Sequence, residues 1–201
     1  MKKLIFTGLL LVAFIHLKAQ TNASDQKVEV FTLQNGGGQK ISLQDYAANK
    51  AVVVVFTNDH CPYSRLYKAR LQQLNSDYSG KGVKFLFIQP AISTDNAQST
   101  SPTPTSGNKL SITDNTDLPY FLDTNLKVSQ LLGATKTPEA FVLQPQNGSF
   151  ILRYKGAIDD NPQVESYVKE TYLKTAIESV LNNQTPPVTQ KRAIGCSIKR
   201  F

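Results

Sequence analysis

The chain has 201 residues, a formal net charge of +7 and only two cysteines. Three of its lysines, Lys2, Lys3 and Lys18, lie in an N-terminal segment that resembles a signal peptide, so the charge of the remainder falls to about +4. The other Lys and Arg residues are spread along the chain, which argues against nucleic acid as a partner. The remaining length suits one domain with a hydrophobic core.

Residues 1–20 predict a cleavable signal peptide. Two lysines precede an apolar run over residues 4–17, and small or polar residues follow around Ala19. The run is shorter than the roughly 20 residues that span a bilayer. A permanent anchor is the alternative, but we expect cleavage, no stable membrane insertion afterwards, and a periplasmic location.

The cysteine and histidine inventory restricts the chemistry. Once the signal peptide and its His16 are removed, Cys61, Cys196 and His60 remain. This set is too small for a tetrahedral Cys/His zinc site within one chain, and it contains no C-x-x-C-H haem motif. A Cys–His hydrolase would need a histidine other than the direct sequence neighbour of its cysteine. The sequence therefore predicts thiol redox chemistry with no metal and no organic cofactor.

The predicted domain covers residues 27–182 and begins with β-structure. Val28–Leu33 alternates apolar and polar residues, as a half-exposed strand does. Ser42 is expected to cap a short helical stretch through Tyr46 and Ala48. Residues 51–56, AVVVVF, predict a central strand buried on both faces.

A helix follows this central strand. Pro62 occupies a favourable first-turn position, and Gly80 follows the end of the periodic pattern. Residues 83–88, VKFLFI, predict a second buried strand, so the segment forms a parallel βαβ unit with a right-handed crossover. The helix is indicated by residues that recur at spacings of three and four: Tyr63, Leu66, Tyr67, Arg70, Leu71, Leu74 and Tyr78.

Residues 89–118 interrupt the regular pattern. They are rich in Ser, Thr, Pro, Asn and Asp, which predicts a long surface loop. The loop is either a mobile insertion without chemistry or a binding element near the site. Regular structure returns with residues 120–123 and a helical stretch over 125–132 that Gly133 ends.

A β-hairpin is predicted next. Thr137-Pro138 precedes a strand over residues 140–143, and a short Asn-Gly turn leads to a second strand over 150–154.

The chain is predicted to close with a helix and a tail. An amphipathic helix is expected over residues 162–181, with Asp159 and Asp160 capping it. Residues 183–201 form a polar, proline-containing tail that carries Cys196.

Cys61 is the strongest candidate for a reactive residue. It lies between a buried strand and the first turn of a helix, where unpaired N–H groups and the helix dipole stabilise a thiolate. Such a setting can lower the pKa of a cysteine from about 8.5 to about 3.5–7.5. A buried, inert cysteine is the alternative.

These features resemble the thioredoxin superfamily, and within it the exported redoxin or AhpC/TSA-type proteins of the TlpA-like kind. The resemblance covers about residues 27–182 and implies an α/β thioredoxin fold. In that fold a central mixed β-sheet, with a parallel βαβ half and an antiparallel C-terminal hairpin, is flanked by helices. The motif residues are Cys61, Pro62, Ser64, Thr137 and Pro138.

The resemblance also implies a binding groove. In the family, the proline that matches Pro138 is cis and lies against the reactive cysteine, and the backbone before it pairs with a substrate. Thr137 and Pro138, together with Pro62 and Ser64, are therefore expected to form the substrate-binding part of the site, with Cys61 as the catalytic thiol.

The sequence departs from the family pattern at two places. Ser64 replaces the second cysteine of the usual Cys-x-x-Cys motif, and a hydroxyl cannot resolve a mixed disulfide. The peroxiredoxin motif would need Pro at position 54 and Thr or Ser at position 58, where this chain has Val54 and Asn58. Peroxidase activity is therefore disfavoured.

Cys196 is the candidate for the missing thiol. It lies in a small apolar patch, residues 193–198, that is suited to docking the tail onto the domain, and related exported redoxins share a similar Gly-Cys-x-Ile-Lys tail. Three alternatives remain open: Cys196 resolves Cys61 as a second catalytic cysteine, forms a permanent disulfide with it, or stays unpaired.

We therefore expect a thiol–disulfide oxidoreductase that acts on protein or small-molecule thiols and disulfides. The alternatives are a catalytically silent binding module with the same fold, which Ser64 favours, and a thiol peroxidase. The sequence predicts no oligomeric state.

Overall fold

The computed structural model describes residues 26–35, 37–90, 120–123 and 125–198. The predicted signal peptide, nearly all of the predicted loop 89–118 and the last three residues lie outside this range. The described helices are α1 (Pro62–Ser79), α2 (Lys127–Leu132) and α3 (Tyr172–Leu181). The described strands are β1 (Lys27–Val28), β2 (Thr32–Asn35), β3 (Lys40–Ser42), β4 (Ala51–Phe56), β5 (Val83–Pro90), β6 (Tyr120–Asp123), β7 (Lys136–Thr137), β8 (Glu139–Gln146), β9 (Ser149–Gly156), β10 (Gln190–Lys191) and β11 (Cys196–Ser197).

A mixed sheet forms the centre of the molecule, with the strand order β1-β9-β8-β4-β5-β6-β2-β3. β4 pairs parallel with β5 and antiparallel with β8, and β8 forms an antiparallel hairpin with β9. β10 adds a parallel partner to β9, while β7 and β11 form a separate antiparallel pair. The mixed sheet with a parallel βαβ half and a C-terminal hairpin confirms the predicted fold class.

β4 lies at the centre of this sheet because both of its faces are apolar. Val52, Val54 and Phe56 enter a core that also contains residues of β8, β9 and α2. Val53 and Val55 enter a second core, which α1 and α3 cover from the opposite side. All six residues of β4 are fully buried, as expected of a parallel strand between two covered faces. Cys61 therefore lies in the turn just beyond the C-terminal end of a fully buried strand.

The prediction of a single strand over Val28–Leu33 is wrong. β1 pairs with β9, whereas β2 pairs with β3 and β6 in the other half of the sheet. The chain must cross from one side of the sheet to the other between these two strands, so it cannot continue as one. The predicted cap at Ser42 is confirmed, since its side chain accepts a hydrogen bond from the Gln44 N–H.

The prediction of one closing helix over residues 162–181 is also wrong. A 3-10 turn at Glu165–Tyr167 precedes α3, which begins only at Tyr172. The Asn161 side chain accepts hydrogen bonds from the N–H groups of residues 163 and 164, and the Asp160 carboxylate accepts from residues 169 and 170. These local side-chain bonds compete with helical hydrogen bonds.

Candidate active site

Cys61 is the N-cap residue of α1. Pro62 occupies the first turn, and no acidic residue follows in that turn. The Cys61 N–H donates to the Asn58 carbonyl over 2.9 Å, which closes the turn between β4 and the helix. The sequence folds this way because the run of strand-forming residues ends at Phe56 and a proline suited to a helix start comes six residues later.

The side chain of Asn58 fixes this turn. Its amide donates to the Pro90 carbonyl over 2.9 Å, and its side-chain oxygen accepts from the His60 N–H over 2.9 Å. The Asn58 N–H in turn donates to the Ser64 hydroxyl over 3.2 Å. In the sequence, Asn58 stands out only as a departure from the peroxiredoxin motif. Its place in an Asn-Asp-His turn was the signal that it would bond to nearby backbone.

Cys196 forms a disulfide with Cys61, and the two Cα atoms are 5.8 Å apart. The tail brings Cys196 to the site as strand β11, in which Cys196 pairs with Thr137 and Ser197 with Lys136. Of the three alternatives for Cys196, the structure excludes unpaired thiols in this state. The two partners are separated by 135 positions along the chain, so no short sequence motif joins them.

The Thr137–Pro138 peptide bond is cis, as the resemblance implied. The Thr137 carbonyl oxygen lies 3.0 Å from the Cys61 sulfur. A disulfide sulfur carries no proton, so this is a sulfur–oxygen contact that becomes a hydrogen bond only when the thiol forms. Thr137 thus contacts Cys61 through its carbonyl oxygen and pairs with Cys196 through the β-ladder.

Glu139 holds the segment before the cis proline. This buried carboxylate accepts hydrogen bonds from the N–H groups of Thr135 and Lys136, over 2.7 and 3.0 Å. No sequence pattern singles out Glu139, because a lone Glu at the start of a strand is common. Its effect is to fix the two-residue strand against which β11 pairs.

Gly195 allows the tail to lie flat on this strand. A Cβ atom at position 195 would lie 2.1 Å from the Thr137 carbonyl oxygen and 2.7 Å from its carbonyl carbon. Both distances are shorter than real Cβ contacts, so any side chain would lift Cys196 away from Cys61. The glycine that precedes the tail cysteine is therefore a steric requirement of the disulfide.

A second glycine anchors the tail further from the sulfur atoms. Gly156 has φ +134°, and a Cβ there would lie only 1.7 Å from the Lys191 carbonyl oxygen. That oxygen accepts a hydrogen bond from the Ala157 N–H over 3.1 Å, next to the β9–β10 pairing. After Cys196, the Ile198 N–H donates to the Thr135 carbonyl over 3.0 Å. The tail is thus held on both sides of its cysteine.

The two sulfur-bearing residues differ in exposure. Cys61 is fully buried, whereas Cys196 is only partly buried and is followed by the exposed Ser197. Thr137 is also fully buried, and its hydroxyl has no hydrogen-bond partner among the described residues. Cys61 is therefore the less accessible half of the disulfide.

Charged groups surround the start of α1. Arg65 lies in the first turn and donates to the Asp59 carbonyl over 3.0 Å, which holds a cation close to the cysteine turn. Burial raises the pKa of the Asp59 carboxyl, while Lys68, His60 and Arg65 oppose that rise. The N-terminus of α1 and the Arg65 guanidinium both contribute positive potential near the cysteine turn.

An open cavity of about 260 Å³ lies next to the cis proline, between the domain and the tail. One wall carries a buried ion pair in which Arg70 donates to Asp159, and Arg70 also donates to the carbonyl groups of Asn161 and Pro162. The Tyr67 hydroxyl donates to the same carboxylate over 2.6 Å. Burial, followed by this hydrogen bond, raises the pKa of Tyr67 well above its ordinary value.

This cluster corrects the interpretation of Asp159 as a helix cap. Its carboxylate binds α1 through Arg70 and Tyr67 rather than the start of α3, so it connects the hairpin exit to the cysteine-bearing helix. Tyr67 lies on the packing face of α1, as its spacing predicts, whereas the periodic pattern indicates no partner for Arg70. The three-residue spacing between Tyr67 and Arg70 puts both side chains on one face of α1, and this was the sequence signal for a shared partner.

The remaining predicted site residues lie close to the disulfide in sequence but differ in exposure. Pro62 is exposed at the head of α1, whereas the Ser64 side chain is buried and bonded to Asn58. Their substrate-binding role stays a prediction. Within the residues that the structure describes, no group of three or more His, Cys, Asp or Glu side chains is arranged to hold a metal ion. No helix in that part of the chain is long and apolar enough to cross a membrane.

Comparison with protein families gives a match between residues 25–161 and the model described as the AhpC/TSA family. A search of the curated proteins found no match.

Solved structures with a similar fold cover most of the chain. A hypothetical protein from Sinorhizobium meliloti 1021 is 24% identical with a TM-score of 0.70, covering 90% of this chain and 96% of its own. An uncharacterized conserved protein from Geobacillus kaustophilus is 25% identical with a TM-score of 0.68, covering 88% and 92%. A thiol:disulfide interchange protein of the thioredoxin family from Chlorobium tepidum TLS is 16% identical with a TM-score of 0.51, covering 80% and 99%. The fold is therefore a thioredoxin fold.

Proposed function

The chain belongs to the AhpC/TSA family, and from this premise we propose that it is a periplasmic thiol–disulfide oxidoreductase in which Cys61 and Cys196 cycle between a dithiol and a disulfide. One observation carries the proposal: Cys61, at the N-terminus of α1 and beside the cis Pro138, is bonded to a second cysteine that the tail delivers. The tail thiol substitutes for the cysteine that the motif lacks at Ser64.

The reduced protein begins the cycle with Cys61 as thiolate. This thiolate attacks one sulfur of a substrate disulfide, so a mixed disulfide forms and the other substrate sulfur leaves as a thiolate. The Cys196 thiolate then attacks the Cys61 sulfur and displaces the second substrate thiolate. The substrate disulfide is reduced by two electrons and the protein is oxidised to the Cys61–Cys196 disulfide. An external thiol must supply two electrons to complete the cycle.

The chain's own residues prepare this chemistry. The α1 terminus and Arg65 stabilise the Cys61 thiolate, both as nucleophile and as leaving group. The β7 strand offers backbone groups to an extended chain, and in the oxidised protein the tail occupies them. Protein disulfides and small-molecule disulfides are therefore the proposed substrates. The predicted signal peptide and the oxidising conditions of the periplasm support the location.

Insulin reduction tests the proposal. Wild type is compared with Cys61→Ser and Cys196→Ser at equal concentrations of a dithiol reductant. We expect turnover by wild type, background rates for Cys61→Ser, and a covalent mixed disulfide that accumulates on Cys196→Ser because its resolving thiol is missing. Equal background rates in all three proteins would contradict an enzyme, and consumption of hydrogen peroxide at a comparable rate would favour the peroxidase alternative.

A structural disulfide is the second candidate, and the complete burial of Cys61 favours it. A binding module of this kind would use the thioredoxin fold for recognition only. It differs from the enzyme in one measurable way: its disulfide would stay oxidised in glutathione buffers that convert a redox-active pair to the dithiol. Alkylation of the native protein before and after such treatment distinguishes the two.

A further inference from the structure

The second half of the cycle requires an external thiol that opens the Cys61–Cys196 disulfide. The exposure of the two cysteines and the surroundings of each sulfur indicate which of them this thiol attacks. A thiolate approaches a disulfide along the S–S axis, from the side opposite the leaving sulfur. The two sulfur atoms are therefore approached from opposite directions, and burial decides between them.

Approach to Cys61 is blocked. The residue is fully buried, and its sulfur contacts the Thr137 carbonyl oxygen at 3.0 Å. Approach to Cys196 is open, because this residue is partly exposed and its neighbours Ile194 and Ser197 are exposed. A thiol from solvent reaches the tail sulfur without displacing the core.

The leaving group gives a second, independent argument. Attack on Cys196 releases Cys61 as a thiolate at the N-terminus of the 18-residue helix α1, close to Arg65. Attack on Cys61 would release Cys196 from a two-residue strand rather than from a helix N-terminus. The cation on that side is Lys136, whose ammonium group donates to the Ser197 hydroxyl over 2.9 Å. Thiols of lower pKa leave faster, so the chemistry and the access favour the same sulfur.

We propose that Cys196 is the sulfur through which reducing equivalents enter the protein, while Cys61 is the sulfur that attacks substrate. The inference rests on the proposed function and assigns the two cysteines to different half-reactions. In the step, an external thiolate forms a new S–S bond with Cys196, the Cys61–Cys196 bond breaks, and its electron pair leaves on Cys61. A second thiolate then attacks the external sulfur, releases Cys196 as a thiolate and leaves as an oxidised external disulfide.

The test uses wild-type protein, oxidised and full length after export. It is mixed with excess 2-mercaptoethanol, quenched with acid at times from milliseconds to seconds, and digested for mass spectrometry. Mercaptoethanol adducts of the single-cysteine variants Cys61→Ser and Cys196→Ser serve as calibration standards for the two sites. We expect at least about tenfold more adduct on Cys196 than on Cys61 at the earliest times.

Each outcome decides the question. Equal amounts on both cysteines, an excess on Cys61, or no adduct on Cys196 at any quench time would overturn the inference, even if insulin turnover persists. A disulfide that no thiol opens would contradict both the inference and the proposed function. Turnover with the adduct on Cys196 supports both.

Discussion

Replacing Gly195 by alanine is expected to weaken the Cys61–Cys196 disulfide. The added Cβ would lie 2.1 Å from the Thr137 carbonyl oxygen, whereas ordinary contacts begin near 3.4 Å. The obstructing atoms are backbone, and they belong to a strand that Glu139 and β11 hold in place. The β11 strand must therefore move by about 1 Å or more, which a two-residue ladder cannot absorb without losing hydrogen bonds.

The magnitude follows from the cost of overpacking, which is about 1–3 kcal/mol. This strain exists only while the tail is docked, because the reduced tail can lift away from Thr137. The disulfide of Gly195→Ala is therefore expected to be about 5- to 150-fold easier to reduce at equilibrium than that of wild type. The reduced forms of the two proteins are expected to unfold at nearly the same urea concentration.

The assay is equilibration in a series of glutathione buffers, followed by acid quench, alkylation and mass measurement. Gly80→Ala is the matched control, because a Cβ at position 80 would meet no atom within 4 Å and φ there is −70°. Its equilibrium should match that of wild type. A Gly195→Ala protein as resistant to reduction as wild type would refute the steric reasoning.

Three further perturbations test the surroundings of the disulfide. Thr137→Val removes a buried hydroxyl that has no hydrogen-bond partner in the described part of the chain. It is expected to raise the free energy of unfolding of the oxidised protein by about 1 kcal/mol in urea titrations, and a loss of similar size would mean that the hydroxyl is satisfied. Burial raises the pKa of Asp59 above 3.8, so the native state binds this proton more tightly than the unfolded chain and stability falls as pH rises through that range. Asp59→Asn should therefore raise the urea midpoint at pH 7 but not at pH 3, and an equal gain at both pH values would contradict this cause. Reduction of the disulfide, which spans 135 positions, should lower the free energy of unfolding by at most about 5 kcal/mol. Urea unfolding with and without reductant measures this loss. An unchanged midpoint would argue that the disulfide does not constrain the unfolded chain.

The sequence was sufficient for the parts of the molecule that local patterns determine. The β-branched run of β4 and the 3.6-residue period of α1 predicted the βαβ unit and placed Cys61 at a helix N-terminus, as observed. The family resemblance then implied the cis peptide bond before Pro138, which is also present. Each of these features depends on a few consecutive residues or on one recognisable motif.

The remaining features depend on contacts between distant segments, and no local pattern encodes them. The prediction of one strand over Val28–Leu33 failed because its two ends pair with opposite halves of the sheet. Asp159 was assigned to a cap because a helix follows it in sequence, whereas its partner Arg70 lies 89 positions earlier. The pairing of Cys196 with Cys61 was predicted in two of the three alternatives left open, because settling it needs the path of the tail.

The path of the tail explains how a cysteine outside the motif can act in the site. Before Cys196, the Lys191 carbonyl accepts a hydrogen bond from the Ala157 N–H. After Cys196, the N–H of the buried Ile198 donates a hydrogen bond to the Thr135 carbonyl. Opening the disulfide therefore frees only the short segment between these anchors rather than the whole tail. A thiol tethered at both ends keeps an effective concentration near Cys61 of at least the millimolar order. In the proposed cycle, this proximity favours resolution of a mixed disulfide by Cys196 over attack by a second external thiol. The anchored strand would then supply the thiol that a second cysteine on the helix supplies in the usual motif.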